Sequence, residues 1–112
     1  MFDSKAEKIE KLVLKGKWDD LGNKYLNSDT ETRLILAQEC SKSTDYNVNN
    51  LLSILMRDTD EKVKLAAIKS IGITGKDHEC AQLEWLMSNT PEDKKEIITA
   101  LQDSISKVRR KK

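Results

Sequence analysis

A repeat with a period of 31 residues constrains this chain more than any other feature of its sequence. The segment from Leu52 to Asp60 matches the segment from Leu83 to Pro91, with apolar residues on apolar residues and turn residues on turn residues. A fainter copy begins at Leu21, again 31 residues earlier. A period of roughly 20 to 50 residues is typical of folds that stack one small unit several times. The sequence therefore predicts about three copies of one unit, the last of them the least regular.

Apolar residues within each copy follow the period of an α-helix. In the second copy they form two stripes, which comprise Leu51, Leu52, Leu55 and Met56, and then Val63, Ala66, Ala67, Ser70 and Ile71. Two stripes joined by a short polar turn predict a hairpin of two amphipathic helices. We therefore predict seven helices, a first one over 4–14 and three hairpins over 18–42, 47–73 and 77–108.

The predicted helix ends carry recognisable capping residues. Ser4 with Glu7 three residues later has the spacing of a capping box, and Gly16 follows the end of the first helix. Three turn residues are predicted N-caps of the second helices of the hairpins: Asp29, Asp60 and Thr90. Pro91 would then occupy the first helical position of the last helix, where proline costs no hydrogen bond.

Composition agrees with one helical domain over residues 1–112. The chain has four glycines and one proline, too few for the many tight turns of a β-sandwich, and 38% of its residues are hydrophobic. Its two cysteines imply no disulfide framework, and no apolar run is long enough to cross a membrane. We therefore expect a cytoplasmic protein with no membrane association.

Positive charge is concentrated in a short tail at 107–112. This tail holds five of the 20 basic residues, which leaves 15 basic against 19 acidic residues, a balance of −4, in the rest of the chain. Nucleic-acid-binding folds usually present a basic face on the body itself. Nucleic acid is therefore an improbable partner on charge grounds, and a solubilising tail is the favoured interpretation.

The segment from Leu51 to Gly72 resembles a HEAT repeat. It has an apolar first helix, the turn Asp58-Thr59-Asp60, then Val63-Lys64, paired alanines and an apolar residue before glycine. The resemblance implies an all-α solenoid, that is, an α-α superhelix of about three HEAT-like hairpins with an N-terminal capping helix. It also implies a ladder of polar contacts between neighbouring repeats, which pairs Asp58 with Lys64, Asn27 with Arg33 and Asn89 with Lys95.

Residues capable of chemistry are few. His78 is the single histidine, and the cluster Asp77-His78-Glu79-Cys80 is better explained by a capping Asp77, an exposed His78 and a packed Cys80 than by a metal site. Cys40 aligns with an apolar position and is predicted to be a core residue. Trp85 aligns with Ile54 and is predicted to pack between the first helices of neighbouring hairpins. Trp18 is predicted to cover the N-terminal end of the core. We therefore expect no catalytic, cofactor or metal site.

The outward side of the second helices is the predicted binding surface. HEAT-like arrays commonly hold a peptide or a domain on the concave face that these helices line. Seven residues are the predicted partner-binding set: Arg33, Leu34, Gln38, Lys64, Leu65, Ile68 and Lys69. An apolar strip beside basic side chains suits an acidic or amphipathic segment of a protein. The competing explanation is that a second copy of the chain, or the N-terminal helix, covers this strip.

The function predicted from these features is that of a non-enzymatic protein-binding scaffold or adaptor. One alternative is a nucleic-acid-associated protein that uses the basic tail at 107–112. Another is an accessory protein or lyase, by analogy with bilin lyases and alkylpurine DNA glycosylases built on HEAT-like arrays. Fold analogy alone does not confer a reaction.

Overall fold

Seven α-helices form the fold in the computed structural model, which describes residues 4–111. They are α1 (Lys5–Leu14), α2 (Trp18–Tyr25), α3 (Thr30–Glu39), α4 (Val48–Leu55), α5 (Glu61–Thr74), α6 (Asp77–Ser88) and α7 (Lys95–Arg109). A single turn of 3₁₀-helix, Cys40–Lys42, extends α3. No β-strand occurs within residues 4–111. The all-α class and the predicted number of helices are therefore confirmed.

Capping residues place the starts of α1, α3 and α5 where the sequence predicts them. The Ser4 hydroxyl accepts from the Glu7 backbone N–H at 3.2 Å, and the Glu7 carboxylate accepts from the Ser4 backbone N–H at 3.3 Å. Asp29 accepts from the Thr32 backbone N–H at 2.8 Å, and Asp60 accepts from two backbone N–H groups of α5. These bonds satisfy N–H groups that the helices themselves leave unpaired.

The turn of the third hairpin differs from the prediction. Thr90 does not cap α7, because its hydroxyl donates to the Leu86 carbonyl at 2.7 Å and so completes the end of α6. Pro91 consequently lies in the link between the two helices, and α7 begins only at Lys95. A salt bridge of 3.0 Å between Lys94 and Glu61 joins this longer link to the start of α5.

Each helix packs against its neighbours in a regular order. Helix α5 lies between α3 and α7, while α1 packs beside α3. On the other side, α4 contacts both α2 and α6. The two helices of each predicted hairpin also contact one another. The core is one continuous cluster to which all seven helices contribute.

Equivalent leucines of the repeat have equivalent surroundings. Leu21, Leu52 and Leu83, which are separated by 31 residues each, all have 0% exposure. The sequence repeat therefore corresponds to a repeat in how the helices bury their apolar sides.

Small residues let α5 approach both of its neighbours, α3 and α7, closely. The Ser70 hydroxyl donates to the Ala37 carbonyl at 2.6 Å, and the Ser104 hydroxyl donates to the Ile68 carbonyl at 2.8 Å. Each bond runs from one helix to the backbone of the next. Gly72 faces Ser104 at the crossing of α5 and α7.

Candidate functional site

A groove lies along the exposed sides of α3 and α5, where the sequence predicts the binding surface. Its volume is about 590 Å³, and we call it the α3–α5 groove. Its lining comprises Leu34, Gln38, Ser41, Lys62, Leu65, Ala66, Lys69, Ser70, Ile73 and Glu96. Leu34 and Leu65 are half-buried, since one side of each packs on the core while the other lines the groove.

Four of the seven predicted binding residues line this groove. They are Leu34, Gln38, Leu65 and Lys69. No residue of α1 lines it, so the N-terminal helix does not cover the strip. The apolar strip beside basic residues is therefore open to solvent on this side of the described chain.

The prediction that Ile68 lies on the outward side is wrong. Ile68 has 0% exposure, because α5 is packed on one side by α3 and on the other by α7. A helix between two neighbours buries a wider stripe than a hairpin helix with one neighbour, and Ile68 falls within that stripe. Its carbonyl accepts the bond from Ser104.

Arg33 and Lys64 lie outside the groove, near the turn that precedes α5. Arg33 makes a bidentate pair with Asp58, with its Nε 2.8 Å from Oδ2 and its Nη2 3.2 Å from Oδ1. Its other terminal nitrogen donates to the Ser28 carbonyl at 2.7 Å. The pair joins the first hairpin to the second, so the polar contact expected of Asp58 is made with Arg33 of the preceding hairpin.

The Arg33–Asp58 pair lowers the pKa of the Asp58 carboxyl. Partial burial raises the pKa of this carboxyl, but hydrogen bonds from Arg33 and from the Asp60 backbone N–H outweigh burial and leave the pKa below its ordinary value of 3.8. The charges of Arg33 and Lys64 act in the same direction. Arg33 and Lys64 are therefore placed for a structural role.

A second depression continues the groove toward α7. Its volume is about 560 Å³, and it shares Leu65, Lys69 and Glu96 with the α3–α5 groove. Thr99, Ala100 and Asp103 line its far side. Lys62 and Lys69 thus supply positive charge on α5, whereas the α7 edge carries both signs, with Lys95 beside Glu96 and Asp103.

Sequence reasoning missed Lys62, Ala66 and Ile73 as groove residues. Together with Leu65 and Lys69 they follow the helical spacing of one face of α5. That spacing was a usable signal. Which face of α5 stays exposed depends, however, on how α3, α4 and α7 pack on it.

The opposite side of the molecule carries an exposed tryptophan, contrary to the prediction that Trp85 packs between first helices. Trp85 is 53% exposed and Ile54 is 57% exposed. The guanidinium of Arg57 lies 4.9 Å from the centre of the Trp85 ring. The alignment of Trp85 with Ile54 nevertheless holds, because both side chains lie on the solvent side of their helices. Trp18, by contrast, packs against the core and donates its indole N–H to Asp45 at 3.1 Å.

The cluster at 77–80 is divided among separate structural roles. His78 is exposed and Cys80 is buried, as predicted. Glu79 is buried and accepts from the Lys76 backbone N–H and the Tyr46 hydroxyl, both at 2.8 Å. Lys76, not Asp77, occupies the N-cap position of α6, and its side chain makes no capping bond. Within residues 4–111, no three His, Cys, Asp or Glu side chains are grouped to hold a metal ion.

Basic residues of the predicted tail make contacts within the chain. Lys107 pairs with Asp103 at 3.1 Å, and Arg109 pairs with Glu84 at 3.1 Å. Arg110 donates to the Ser106 hydroxyl at 3.0 Å. The Lys111 ammonium donates to the carbonyls of Ile73 and Gly75. Lys112 lies outside the described residues. These contacts give the nucleic-acid alternative no observation in its favour.

Comparison with known proteins gives no further constraint on the site. A scan against models of protein families found no match, and searches of curated proteins and of solved structures found no similar protein. Among residues 4–111, no helix combines the length and apolar character that a membrane span requires. What can be said of function therefore rests on the residues and their geometry.

Proposed function

We propose that this chain is a non-enzymatic protein-binding module of the HEAT type that works in the cytoplasm. In this proposal the α3–α5 groove holds an acidic, amphipathic segment of another protein. The observation that carries the proposal is the pair of half-buried leucines, Leu34 and Leu65, side by side in an open groove and flanked by Lys62 and Lys69.

Three features support a HEAT-like solenoid as the scaffold. Each hairpin packs beside the next, with α5 between α3 and α7 and α4 between α2 and α6. The turn residues Asp29 and Asp60 cap the helices that follow them. The Arg33–Asp58 pair connects neighbouring hairpins, as the polar ladder of such arrays would.

Charge favours an acidic segment over a basic one, because the charged residues that line the groove are two lysines and one glutamate, Glu96. Lys62 and Lys69 are exposed on the same face of α5, about two helical turns apart, on either side of Leu65. An amphipathic helix could place apolar side chains on the leucines and carboxylates toward the two ammonium groups. Charges at the rim of such a contact mainly raise the association rate and select the partner.

Site-specific photocrosslinking in cells tests the proposal. A photoreactive amino acid at Leu65 or at Lys69 is expected to capture the same partner protein, and the same residue at Asn50 is expected to capture none. Asn50 is the control because it is exposed on α4, away from the groove. Absence of a captured protein at both groove positions would contradict the proposal, and capture of a second copy of this chain would replace the partner with a homo-oligomer.

A binding measurement with purified components then tests the chemistry. A synthetic segment of the captured protein should bind the chain, and Lys69→Glu should weaken that binding about tenfold or more through charge reversal. Lys8→Glu makes the same charge change at an exposed position of α1 and should leave affinity unchanged within about twofold. Equal effects of the two substitutions would mean that net charge, not the groove, governs binding.

A further inference from the structure

A pocket separate from the α3–α5 groove opens at the end of α5, and we call it the terminal pocket. Its volume is about 810 Å³. Three segments far apart in the sequence line it: 41–46, which links α3 to α4, 73–78, which links α5 to α6, and the end of the chain at Val108 and Lys111. It shares only Ser41 and Ile73 with the groove. A volume of this size suits a small molecule.

The walls of the terminal pocket present both apolar and cationic groups. Tyr46 and Ile73 are large apolar side chains that are 43% and 57% exposed, and both line the pocket. Lys42, Lys76 and Lys111 line it as well. Its carboxylates are those of Asp45 and Asp77. Of these, Asp45 accepts from the Trp18 indole and from the Asn47 backbone N–H, and these bonds lower its pKa.

The lysines differ in how far their charge is already balanced. Lys42 pairs with Glu10 at 2.6 Å and with Glu39 at 2.8 Å, and these bonds raise its pKa to about 12. Lys76 makes no ion pair within residues 4–111, and its ammonium lies 5.3 Å from the centre of the Tyr46 ring. Lys76 therefore presents a positive charge beside an exposed aromatic surface.

Lys111 is held at the pocket by the backbone. Its ammonium donates to the carbonyls of Ile73 and Gly75, at the C-terminal end of α5. Burial lowers the pKa of Lys111, the charge of Glu79 raises it, and the charge of Lys76 lowers it by a smaller amount. Lys76 and Lys111 line the same pocket. An ammonium has three donor hydrogens, and the two carbonyls leave one of those of Lys111 for a ligand.

We propose that the terminal pocket binds a small amphipathic anion, whose acidic group lies between Lys76 and Lys111 and whose apolar part lies on Tyr46 and Ile73. An anion there accepts charge-assisted hydrogen bonds from two ammonium groups that line one pocket, and the exposed ring and side chain are covered at the same time. The proposal is independent of the α3–α5 groove, and either can fail without the other.

Titration with sodium octanoate, followed by ¹H–¹⁵N NMR, tests the terminal pocket. Saturable shifts are expected at Tyr46, Lys76 and Lys111, which line the terminal pocket and not the groove, and none along the face of Leu34 and Leu65. Inorganic phosphate carries charge without an apolar part, and 1-heptanol carries the same seven-carbon chain as octanoate without its charge. Each should bind at least about tenfold more weakly than octanoate. Phosphate binding as tight as octanoate, or octanoate shifts that map to the α3–α5 groove, would overturn the proposal.

A matched pair of substitutions tests the role of the lysine. Lys76→Gln should weaken octanoate binding about fivefold to tenfold, because it removes a charged donor from the pocket. Lys107→Gln removes the same charge at a position outside the lining and should have no effect. If Lys76→Gln lowers the melting temperature, the octanoate affinity of Lys111→Gln provides a second test. Unchanged affinity in both pocket variants would overturn the proposal.

Discussion

Individual side chains at the hairpin turns make hydrogen bonds and ion pairs that connect one hairpin to the next. The Asp58 carboxylate accepts hydrogen bonds from two nitrogens of Arg33, Nε and Nη2, and from the Asp60 backbone N–H at 2.9 Å. The Asp58 and Arg33 side chains are only 11% and 20% exposed, so solvent screens the pair less than an ordinary surface pair. The pair therefore ties the first hairpin to the turn of the second.

Asp58→Asn should lower the free energy of unfolding by about 1 kcal/mol at pH 7, since it removes a charge-assisted bidentate contact and leaves Arg33 half-buried. Urea denaturation measures this difference. Asp103→Asn is the matched control, because it breaks the exposed pair with Lys107 on the surface of α7 and should cost less. A larger loss in the control would mean that the Arg33–Asp58 pair does not stabilise the fold.

The effect of Asp58→Asn should also depend on pH. The folded state lowers the pKa of Asp58 below 3.8, so the carboxylate stabilises the fold fully above the unfolded-state value. This contribution is lost as the pH falls through the folded-state pKa. The stability difference between wild type and variant should therefore be constant from pH 7 to pH 5 and shrink at more acidic pH. A difference that grows in acid would contradict this assignment.

Cys40 should be unreactive in the folded protein. Burial, aided by the charge of Glu39, raises the pKa of its thiol to about 12. At pH 8 only about one thiol in 10⁴ would then be ionised, and the thiolate is the reactive form. The labelling rate with iodoacetamide should be much lower in native protein than in urea. A Cys80→Ala variant isolates the Cys40 signal, and equal rates in the two conditions would contradict the buried position.

At the scale of elements, the crossing of α5 and α7 depends on the absence of a side chain at Gly72. A Cβ atom at this position would lie 2.8 Å from the Ser104 hydroxyl and 3.2 Å from the Ser104 Cα. The hydroxyl cannot move freely, because it donates to the Ile68 carbonyl. The backbone atom can move only if the helices separate.

Gly72→Ala should therefore destabilise the protein by about 1 to 3 kcal/mol, in spite of the better helix propensity of alanine. Gly22 in α2 is the matched control, since a Cβ there would meet its nearest neighbours at 3.7 and 3.8 Å, an ordinary contact. Gly22→Ala should stabilise the protein by up to about 1 kcal/mol. Thermal denaturation of both variants measures the contrast, and equal shifts of the two melting temperatures would contradict it.

The seven helices and the starts of α1, α3 and α5 were predictable because local chemistry decides them. The apolar period gave the seven helices, and side chains such as Asp29 and Asp60 can cap a helix wherever it packs. Thr90 was misassigned because a threonine hydroxyl can also donate backward, and the carbonyl of Leu86 at the end of α6 is one helical turn away. Local sequence does not decide between these two uses.

Side-chain exposure was less predictable, because it depends on which neighbours a helix acquires. Ile68 was expected at the surface, yet two neighbours of α5 enclose it. Trp85 was expected in the interior, yet it lies outside with Arg57 over its ring. The α3–α5 groove was predicted in part, since Leu34 and Leu65 hold corresponding positions of the repeat in α3 and α5. The terminal pocket was not predicted, because it joins three segments distant in sequence.

At the scale of the whole molecule, the chain is compact despite its repeated construction. The radius of gyration is 13.6 Å, close to the value of about 13 Å expected for a globular chain of this length. One buried cluster runs through all seven helices. Long repeat arrays can unfold piece by piece, because each repeat contacts only its neighbours. A compact chain with one shared core should not unfold in this way.

Unfolding in urea should consequently be a single cooperative transition. The two tryptophans report on different parts of the molecule, since Trp18 packs against the core at the start of α2 and Trp85 lies on the exposed side of α6. Trp85→Phe leaves the fluorescence of Trp18 as the reporter, and Trp18→Phe leaves that of Trp85. Far-ultraviolet circular dichroism reports all helices in both variants.

Within each variant, fluorescence and circular dichroism should give the same midpoint and the same slope with denaturant. This internal comparison is needed because Trp18→Phe also removes the indole bond to Asp45 and is expected to lower the midpoint itself. Suppose instead that the Trp18 signal changes at a lower urea concentration than the helical signal in Trp85→Phe. The first hairpin would then unfold before the other two, and stability would lie in the contacts between neighbouring hairpins rather than in one common core.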